Sequence, residues 1–179
     1  MGGHRIAGGP SGEPDRPGEP AWEDVLDWLR DLREDALESI LRLSPRVWFS
    51  FPGVVRRVRL LSPEELDPSL DDAVARHAIS DDEAEHVRMA DLLLAGRSAP
   101  EGEPVFLVVE VAFQVDRADV EHAVARADIL SRVGHRALAA VAGIRVTADG
   151  DEAARSRGVW RVIDRKTYPP GQPVRAGAA

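Results

Sequence analysis

Residues 105–113 constrain the fold more than any other part of the chain. They read Val-Phe-Leu-Val-Val-Glu-Val-Ala-Phe, and Pro104 bounds the run in front. A nearly unbroken apolar run is typical of a central β-strand that is covered on both faces. Glu110 places a carboxylate in this dry interior. Because an unpaired buried charge is too costly to keep, we expect Glu110 to lie beside a cation, a hydrogen-bond donor or a metal ion, or where the sheet opens to water.

The length, net charge and residue content of the chain exclude several classes of protein and of binding site. The 179 residues are enough for one domain with a core and an appendage. The net charge of −8 excludes a global attraction to nucleic acid, so such binding would need a local basic patch. The absence of Cys excludes disulfides and thiolate metal sites. Residues 1–20 lack the apolar core of a signal peptide, which makes a cytoplasmic location the expectation.

The chain divides into four segments. Residues 1–20 and 166–179 are rich in Gly and Pro, and we predict disordered tails because their apolar surface is too small to offset the entropy of ordering. Residues 21–43 are predicted to form an amphipathic helix, and residues 44–165 a folded domain. The helix carries apolar residues at alternating spacings of three and four, namely Trp22, Val25, Leu29, Leu32 and Ala36.

This apolar stripe fits either a short coiled-coil seam or a helix laid on a sheet. A homodimer formed through residues 22–43 is the partner arrangement that the first alternative predicts. The stripe spans only about three heptads, which is short for a coiled coil.

The first part of the domain, residues 44–89, is predicted to consist mostly of short helices. Ser62 and Ser80 each begin a capping-box signature, with Glu65 and Glu83 three residues on. Residues 47–51 are aromatic enough to form a short strand or a core plug. The arginines that follow fit either phosphate contacts or the wet face of a helix, and they are Arg56, Arg57 and Arg59.

The pattern then changes to alternating strands and helices. We predict strands at 91–96, 105–113, 137–143 and 159–163, with helices at 116–132 and 147–157. Asp116 and Thr147 are the predicted N-caps, while Gly134 and Gly158 stand where C-terminal glycines belong. This order indicates an α/β fold with a hairpin and crossover helices.

The hairpin brings two carboxylates together. If its turn is centred between Pro100 and Glu101, Asp91 lies directly opposite Glu110, with the two Cβ atoms roughly 5 Å apart. Carboxylates this close repel each other unless a proton or a divalent cation lies between them, and oxygen ligands suit Mg²⁺ or Mn²⁺. Gln114 shares the face of Glu110 by the two-residue period of a strand and could reach the same site.

A second interpretation of the same residues is structural. Asp91 and Glu110 could each be salt-bridged to an arginine, for example Arg97 or Arg126. His122 and Arg126 lie one turn apart on the predicted crossover helix, where they could line the site, although ordinary helix-surface positions fit them better.

Several of these stretches resemble the core of the PD-(D/E)XK nuclease-like superfamily, which has a restriction-endonuclease-like mixed sheet. The resemblance covers about residues 22–165 and is closest to an uncharacterised bacterial branch in which a coiled coil precedes the domain. The stretches that carry it are 56–66, 90–97, 108–111, 116–127 and 140–143. It implies an Asp on one hairpin strand and a Glu on the next, here Asp91 and Glu110, as ligands of a divalent metal.

The chain departs from the implied site at one position. The resemblance places a Lys two residues after the Glu, and this chain has Ala112 there. The sequence contains one Lys, Lys166, which lies beyond the last predicted strand. Gln114 is the predicted substitute, although it brings no charge. The resemblance also implies a Glu from the first helix, and either Glu34 or Glu38 could fill that place.

Two functions follow from these expectations. One is a Mg²⁺- or Mn²⁺-dependent phosphodiesterase acting on DNA, with Asp91, Glu110 and Gln114 as its site residues and with a degenerate active site. The other is a catalytically inactive nuclease fold that serves as a scaffold for protein association or dimerisation.

Overall fold

The computed structural model describes residues 22–174, with side chains from residue 31 onward. The predicted tail at 1–20 and the side chains of Trp22, Val25 and Leu29 therefore lie outside the described residues. The fold is α/β, as predicted, with helices packed around a mixed six-stranded sheet. Within residues 22–174, no helix combines the length and the apolar character that crossing a membrane requires.

The described residues form six helices and six strands. The helices are α1 (Trp22–Leu43), α2 (Pro45–Trp48), α3 (Pro63–Ala75), α4 (Asp81–Arg88), α5 (Arg117–Val133) and α6 (Ala148–Arg157). The strands are β1 (Val55–Leu60), β2 (Leu92–Ser98), β3 (Pro104–Val115), β4 (Ala137–Val146), β5 (Trp160–Ile163) and β6 (Lys166–Tyr168). Their order across the sheet is the same as their order along the chain.

The central part of the sheet is the predicted hairpin with a crossover. β2 and β3 pair antiparallel, and α5 then carries the chain to β4, which lies parallel to β3. α6 makes the second crossover, from β4 to the parallel strand β5. In the middle of β3, Leu107, Val108 and Val109 are all fully buried. The apolar run therefore forms a central strand, and both faces of the sheet are covered.

Local capping sets the helix ends where the sequence predicts them. The side chain of Asp116 accepts hydrogen bonds from the N–H groups of Ala118 and Asp119, at 2.7 and 3.2 Å. Gly134 ends α5 with a φ of +109°, a conformation that favours glycine. The Thr147 hydroxyl accepts from the N–H of Gly150 at the start of α6. Both crossover helices are thus confirmed.

The arginine-rich segment at 55–60 is a strand, so the prediction of a helix there is wrong. Val55 and Val58 are both buried although they lie three residues apart, a spacing that indicates a helix. The reason is an irregularity in the pairing of β1 with β2 between Arg56 and Arg59, where Arg57 has a φ of +57°. Such a bulge inserts one residue and changes the two-residue period of the strand to three.

The aromatic segment at 47–51 is not a strand. Pro45–Trp48 form the short helix α2, and Phe49 and Phe51 are fully buried behind it. Phe51 stacks on Trp160 of β5 with the ring centroids 4.3 Å apart. Of the two predicted roles for this segment, the core plug is the one observed.

Residues 166–174 form defined structure although their composition predicts a disordered tail. Lys166–Tyr168 form β6, which pairs antiparallel with β5. Tyr168 and Val174 then pack against the apolar cluster beneath α6. The structure therefore differs from the predicted disordered tail over residues 166–174, and residues 175–179 lie outside the described residues.

The apolar stripe of α1 predicts either a coiled-coil seam or a helix laid on the sheet, and the structure shows which residues contact the sheet. The helix lies on the sheet through a row offset from that stripe, in which Leu41 is buried and Leu37 is partly buried. The two residues of the stripe whose side chains are described face outward, with Leu32 51% exposed and Ala36 exposed, and Leu43, on the same side of the helix, is 83% exposed. α1 thus has two apolar rows, one of which contacts the sheet.

Candidate functional site

The acidic pair lies at the end of the hairpin, as the register predicts. Leu92 of β2 pairs with Val109 of β3, so the next residues outward are Asp91 and Glu110. Glu110 is 6% exposed and Asp91 is half-buried. The predicted centring of the turn between Pro100 and Glu101 is therefore confirmed.

β3 extends past the first residue of β2, so two of its later backbone N–H groups donate to carboxylates instead of to a neighbouring strand. Asp91 Oδ2 accepts a hydrogen bond from the N–H of Val111 at 2.7 Å. Glu34 of α1 accepts one from the N–H of Phe113 at 3.2 Å. Because an unpaired buried N–H is costly, both carboxylates stabilise the end of the sheet. Glu34 is thus the first-helix glutamate that contacts β3, whereas Glu38 accepts a hydrogen bond from Arg42 at 2.7 Å.

The partner of Glu110 is the guanidinium of Arg126. Arg126 Nη1 forms an ion pair with Glu110 Oε2, and both side chains are 8% exposed. Arg126 Nε donates to the carbonyl oxygen of His86 at 2.8 Å, which fixes the guanidinium against α4. The prediction that Arg126 is a helix-surface residue is wrong, whereas its alternative role as a salt-bridge partner is confirmed. His122, one turn earlier, is exposed.

Three neighbouring carboxyl groups are all unfavourable as anions. Burial raises the pKa of Glu110 to about 7, Arg126 opposes this shift, and the nearby charges of Asp91 and Asp119 add to it. Burial also raises the pKa of Asp91, which lies near the negative charge of Glu38. Burial raises the pKa of Asp119 as well. Burial is therefore the main reason why these three groups resist ionisation, and Arg126 offsets it only in part at Glu110.

The two predicted ligands each have one oxygen held by the protein. Asp91 Oδ2 binds the N–H of Val111, and Glu110 Oε2 contacts Arg126. Glu110 Oε1 is fully buried and has no hydrogen-bond partner among the described residues. A free carboxylate oxygen is the type of ligand that hard cations prefer. However, no group of three or more His, Asp or Glu side chains within the described part of the chain is arranged to hold a metal ion.

The other predicted site residues lie apart from this pair. Gln114 is exposed and lies two positions beyond Ala112, which is 8% exposed. Lys166 lies on β6, at the edge of the sheet and three strands from β3. Arg97 donates to the carbonyl of Gly102 at 3.1 Å, in the hairpin turn. The structure therefore brings together Asp91 and Glu110 and leaves Gln114 at the surface.

Two of the three arginines of β1, Arg56 and Arg59, make local contacts. Arg59 forms an exposed ion pair with Glu65, at 2.6 Å, which is also part of the capping box of α3. Arg56 makes a long contact of 3.4 Å with the carbonyl of Pro100. The local contacts of both side chains favour a structural role over phosphate binding.

The residue that sequence reasoning underestimated is Arg126, although a signal for it exists. It lies three residues after Ala123 and four before Leu130, and both of these are buried in α5. A helix places positions three and four apart on one face. An arginine on the buried face of the crossover helix, together with a carboxylate within the adjacent strand, therefore indicates an ion pair between the two.

Comparison of the chain with protein-family models, curated proteins and solved structures found no match.

Proposed function

We propose that this chain is a nuclease-like domain without hydrolytic activity that serves as a scaffold for protein association. The observation that carries the proposal is the buried ion pair between Glu110 and Arg126. A guanidinium at Oε2 already supplies the positive charge that a metal ion would otherwise bring to this carboxylate. Removing such a buried partner leaves an uncompensated charge, so the pair is costly to open.

The strand order supports the nuclease-like part of the proposal. The resemblance implies an acidic pair on a hairpin, and here Asp91 and Glu110 flank β2 and β3. A crossover helix and a parallel strand follow, as α5 and β4. The strand before the hairpin is β1, which pairs with β2. On this proposal the fold is restriction-endonuclease-like.

The missing ammonium group supports the inactive part. A cation near the scissile phosphate stabilises charge that develops in the transition state, and its loss reduces catalysis more than metal binding. Ala112 cannot supply it, and Lys166 lies at the far edge of the sheet. Arg126 is close to the acidic pair, but Glu110 engages one of its terminal nitrogens.

We expect the wild-type chain to show no Mn²⁺ binding by calorimetry and no cleavage of plasmid or single-stranded DNA. Arg126→Gln should then bind Mn²⁺ measurably, since Glu110 regains a free charge that a divalent cation can neutralise. Arg126→Gln with Glu110→Gln is the matched control and should not bind. Strong Mn²⁺ binding by the wild-type chain that Glu110→Gln abolishes would contradict the inactive assignment.

A second candidate function is a weak Mg²⁺- or Mn²⁺-dependent phosphodiesterase acting on DNA. The observation that favours it is Glu110 Oε1, a buried carboxylate oxygen without a donor among the described residues. Asp91 and Glu110 would hold the cation, which would polarise the phosphate, and Gln114 would orient the attacking water. Mn²⁺-dependent cleavage of DNA that Glu110→Gln abolishes would support this candidate over the first.

The outward row of α1 supports self-association. Leu32 and Ala36 are four residues apart, and Leu43 follows seven residues after Ala36, so the row runs along one side of the helix. Their exposure leaves an apolar surface that a second copy of α1 can cover. On this proposal the chain is a homodimer through residues 22–43.

We expect Leu32→Asp with Leu43→Asp to shift the chain from dimer to monomer in sedimentation velocity. Two charges in an apolar seam should raise the dissociation constant at least about tenfold, because buried carboxylates without partners are costly and about 1.4 kcal/mol already corresponds to tenfold. Asp31→Asn, which alters an exposed residue next to the row, is the control and should leave the dimer intact. A wild-type monomer at all concentrations would exclude the seam.

A further inference from the structure

Arg161 on β5 is a fully buried cation that lies outside the acidic site. Its Nη1 donates to Asp151 Oδ1 of α6 at 2.6 Å. Its Nη2 donates to the carbonyl oxygens of Pro169 and Gln172, both at 2.6 Å. Two of these three acceptors belong to residues 169–174, which we call the C-terminal segment. The segment therefore satisfies much of the hydrogen-bonding capacity of a buried guanidinium.

The C-terminal segment is bound through a defined set of contacts. The N–H of Gln172 donates to the carbonyl of Pro169 at 3.2 Å, and Gly171 between them has a φ of +86°, which makes a tight turn. Both carbonyls at the ends of this turn face the same nitrogen of Arg161. Two residues on, the N–H of Val174 donates to Asp151 Oδ1 at 3.2 Å, and its side chain packs against the core. Arg161 and Asp151 thus hold the segment by its backbone.

The connection to this segment is short and strained. β5 and β6 are joined by a two-residue turn, Asp164 and Arg165, whose φ values are +46° and +65°. Hairpin turns of this kind favour Asn or Asp followed by Gly, because Asn and Asp tolerate a positive φ and Gly has no Cβ atom, whereas Arg165 pays a steric cost at the second position. β6 itself has three residues and one neighbouring strand. A small edge element is therefore attached to the domain through a turn whose second residue, Arg165, has an unfavourable conformation.

We propose that β6 and the C-terminal segment exchange between two copies of the chain, with Asp164 and Arg165 as the hinge. Opening the turn relieves its strain, and every contact with Arg161 and Asp151 forms again with the segment of the second copy. Exchange of an identical element is a low-cost route to a dimer, and a short strained hinge favours it. The exchanged interface lies at β5 and α6 and is independent of the α1 row and of the proposed function.

Substitutions in the hinge test the exchange in opposite directions. Arg165→Pro cannot adopt a positive φ, so it should open the turn and lower the dissociation constant of the dimer at least about tenfold. Asp164→Asn with Arg165→Gly should favour the closed turn and keep the chain monomeric. Both are made in the chain carrying Leu32→Asp and Leu43→Asp, so that the α1 row contributes nothing, and light scattering after size-exclusion chromatography gives the mass.

Refolding provides a second measurement if Arg165→Pro does not fold. The Leu32→Asp, Leu43→Asp chain is refolded from urea at high concentration, with and without the Asn-Gly turn, and then diluted. We expect persistent dimers from the chain with the native turn and few from the chain with Asn-Gly. Equal dimer fractions in the two chains, or a folded Arg165→Pro variant that is monomeric at every concentration, would overturn the exchange.

Discussion

Replacement of Arg126 by leucine should lower the free energy of unfolding by about 3–5 kcal/mol at pH 8, because breaking a buried pair from one side leaves a charge without water or counter-charge. The substitution leaves the Glu110 carboxylate, 8% exposed, without its ion-pair partner. Urea unfolding followed by circular dichroism measures the change.

The stability of the Arg126→Leu variant should depend on pH, and the raised pKa of Glu110 gives the direction of that dependence. The folded-state pKa of Glu110 is raised to about 7 from an ordinary value of 4.5, so the folded chain binds more protons than the unfolded chain between these values. Stability from this group is therefore highest below the ordinary pKa and falls as the pH rises through the folded-state pKa. Arg126 opposes the rise in the pKa of Glu110, so its loss raises that pKa further. The stability that Arg126→Leu loses relative to the wild-type chain should therefore be smaller at about pH 5 than at about pH 8.

Two further variants separate this effect from a general loss of packing. Glu110→Leu added to Arg126→Leu should recover most of the stability, since replacing both members of a buried pair is often close to neutral. Arg132→Leu, on the same helix, removes an ion pair with Glu83 whose side chains are 49% and 35% exposed, and should cost at most about 1 kcal/mol. Equal costs for Arg126→Leu and Arg132→Leu would contradict the buried pair.

Gly143→Ala should be the most damaging addition of a single methyl group to the sheet, with a loss at the upper end of the roughly 1–3 kcal/mol range for overpacking. Gly143 of β4 pairs with Ala112 of β3, and a Cβ atom there would lie 2.4 Å from the Ala112 carbonyl oxygen. It would also lie 2.9 Å from a methyl group of Val115. The oxygen belongs to the strand backbone, so it cannot move away without disturbing the pairing of β3 with β4.

Gly96→Ala is the matched control for this substitution. Its added Cβ would lie 2.7 Å from Val55 Cγ1, so the clash is with a side-chain methyl group and leaves the strand backbone in place. Alanine also restricts the unfolded chain more than glycine does, which favours folding. Thermal unfolding should therefore show a smaller decrease for Gly96→Ala than for Gly143→Ala. Similar decreases for both would show that the contact with the Ala112 carbonyl is not the cause.

The parts of the fold that can be predicted from sequence are those set by local signals. Asp116 and Gly134 mark the ends of α5, and the apolar run marks β3, because caps and periodicity depend on neighbours in sequence. The register that sets Asp91 opposite Glu110 also follows from the chain, since the length of the turn determines it.

The parts that sequence patterns miss depend on distant contacts. The spacing of α5 puts Arg126 on the buried face, but an arginine there suggests a surface position until its partner is known, and that partner, Glu110, lies on another element. The Pro and Gly content after Lys166 indicates a disordered tail because nothing in it shows that Arg161 holds the segment. The spacing in β1 indicates a helix because one bulge changes its period.

Beyond Val109, β3 has no paired residue among residues 22–174 on its β2 side, and backbone N–H groups there donate to side chains instead of to a strand. The amide of Val111 is covered by Asp91, from within the hairpin, whereas the amide of Phe113 is covered by Glu34, from a helix 79 residues earlier. The hairpin alone therefore covers the first of these amides, and the second needs α1. A chain without α1 would leave the Phe113 amide without its carboxylate acceptor.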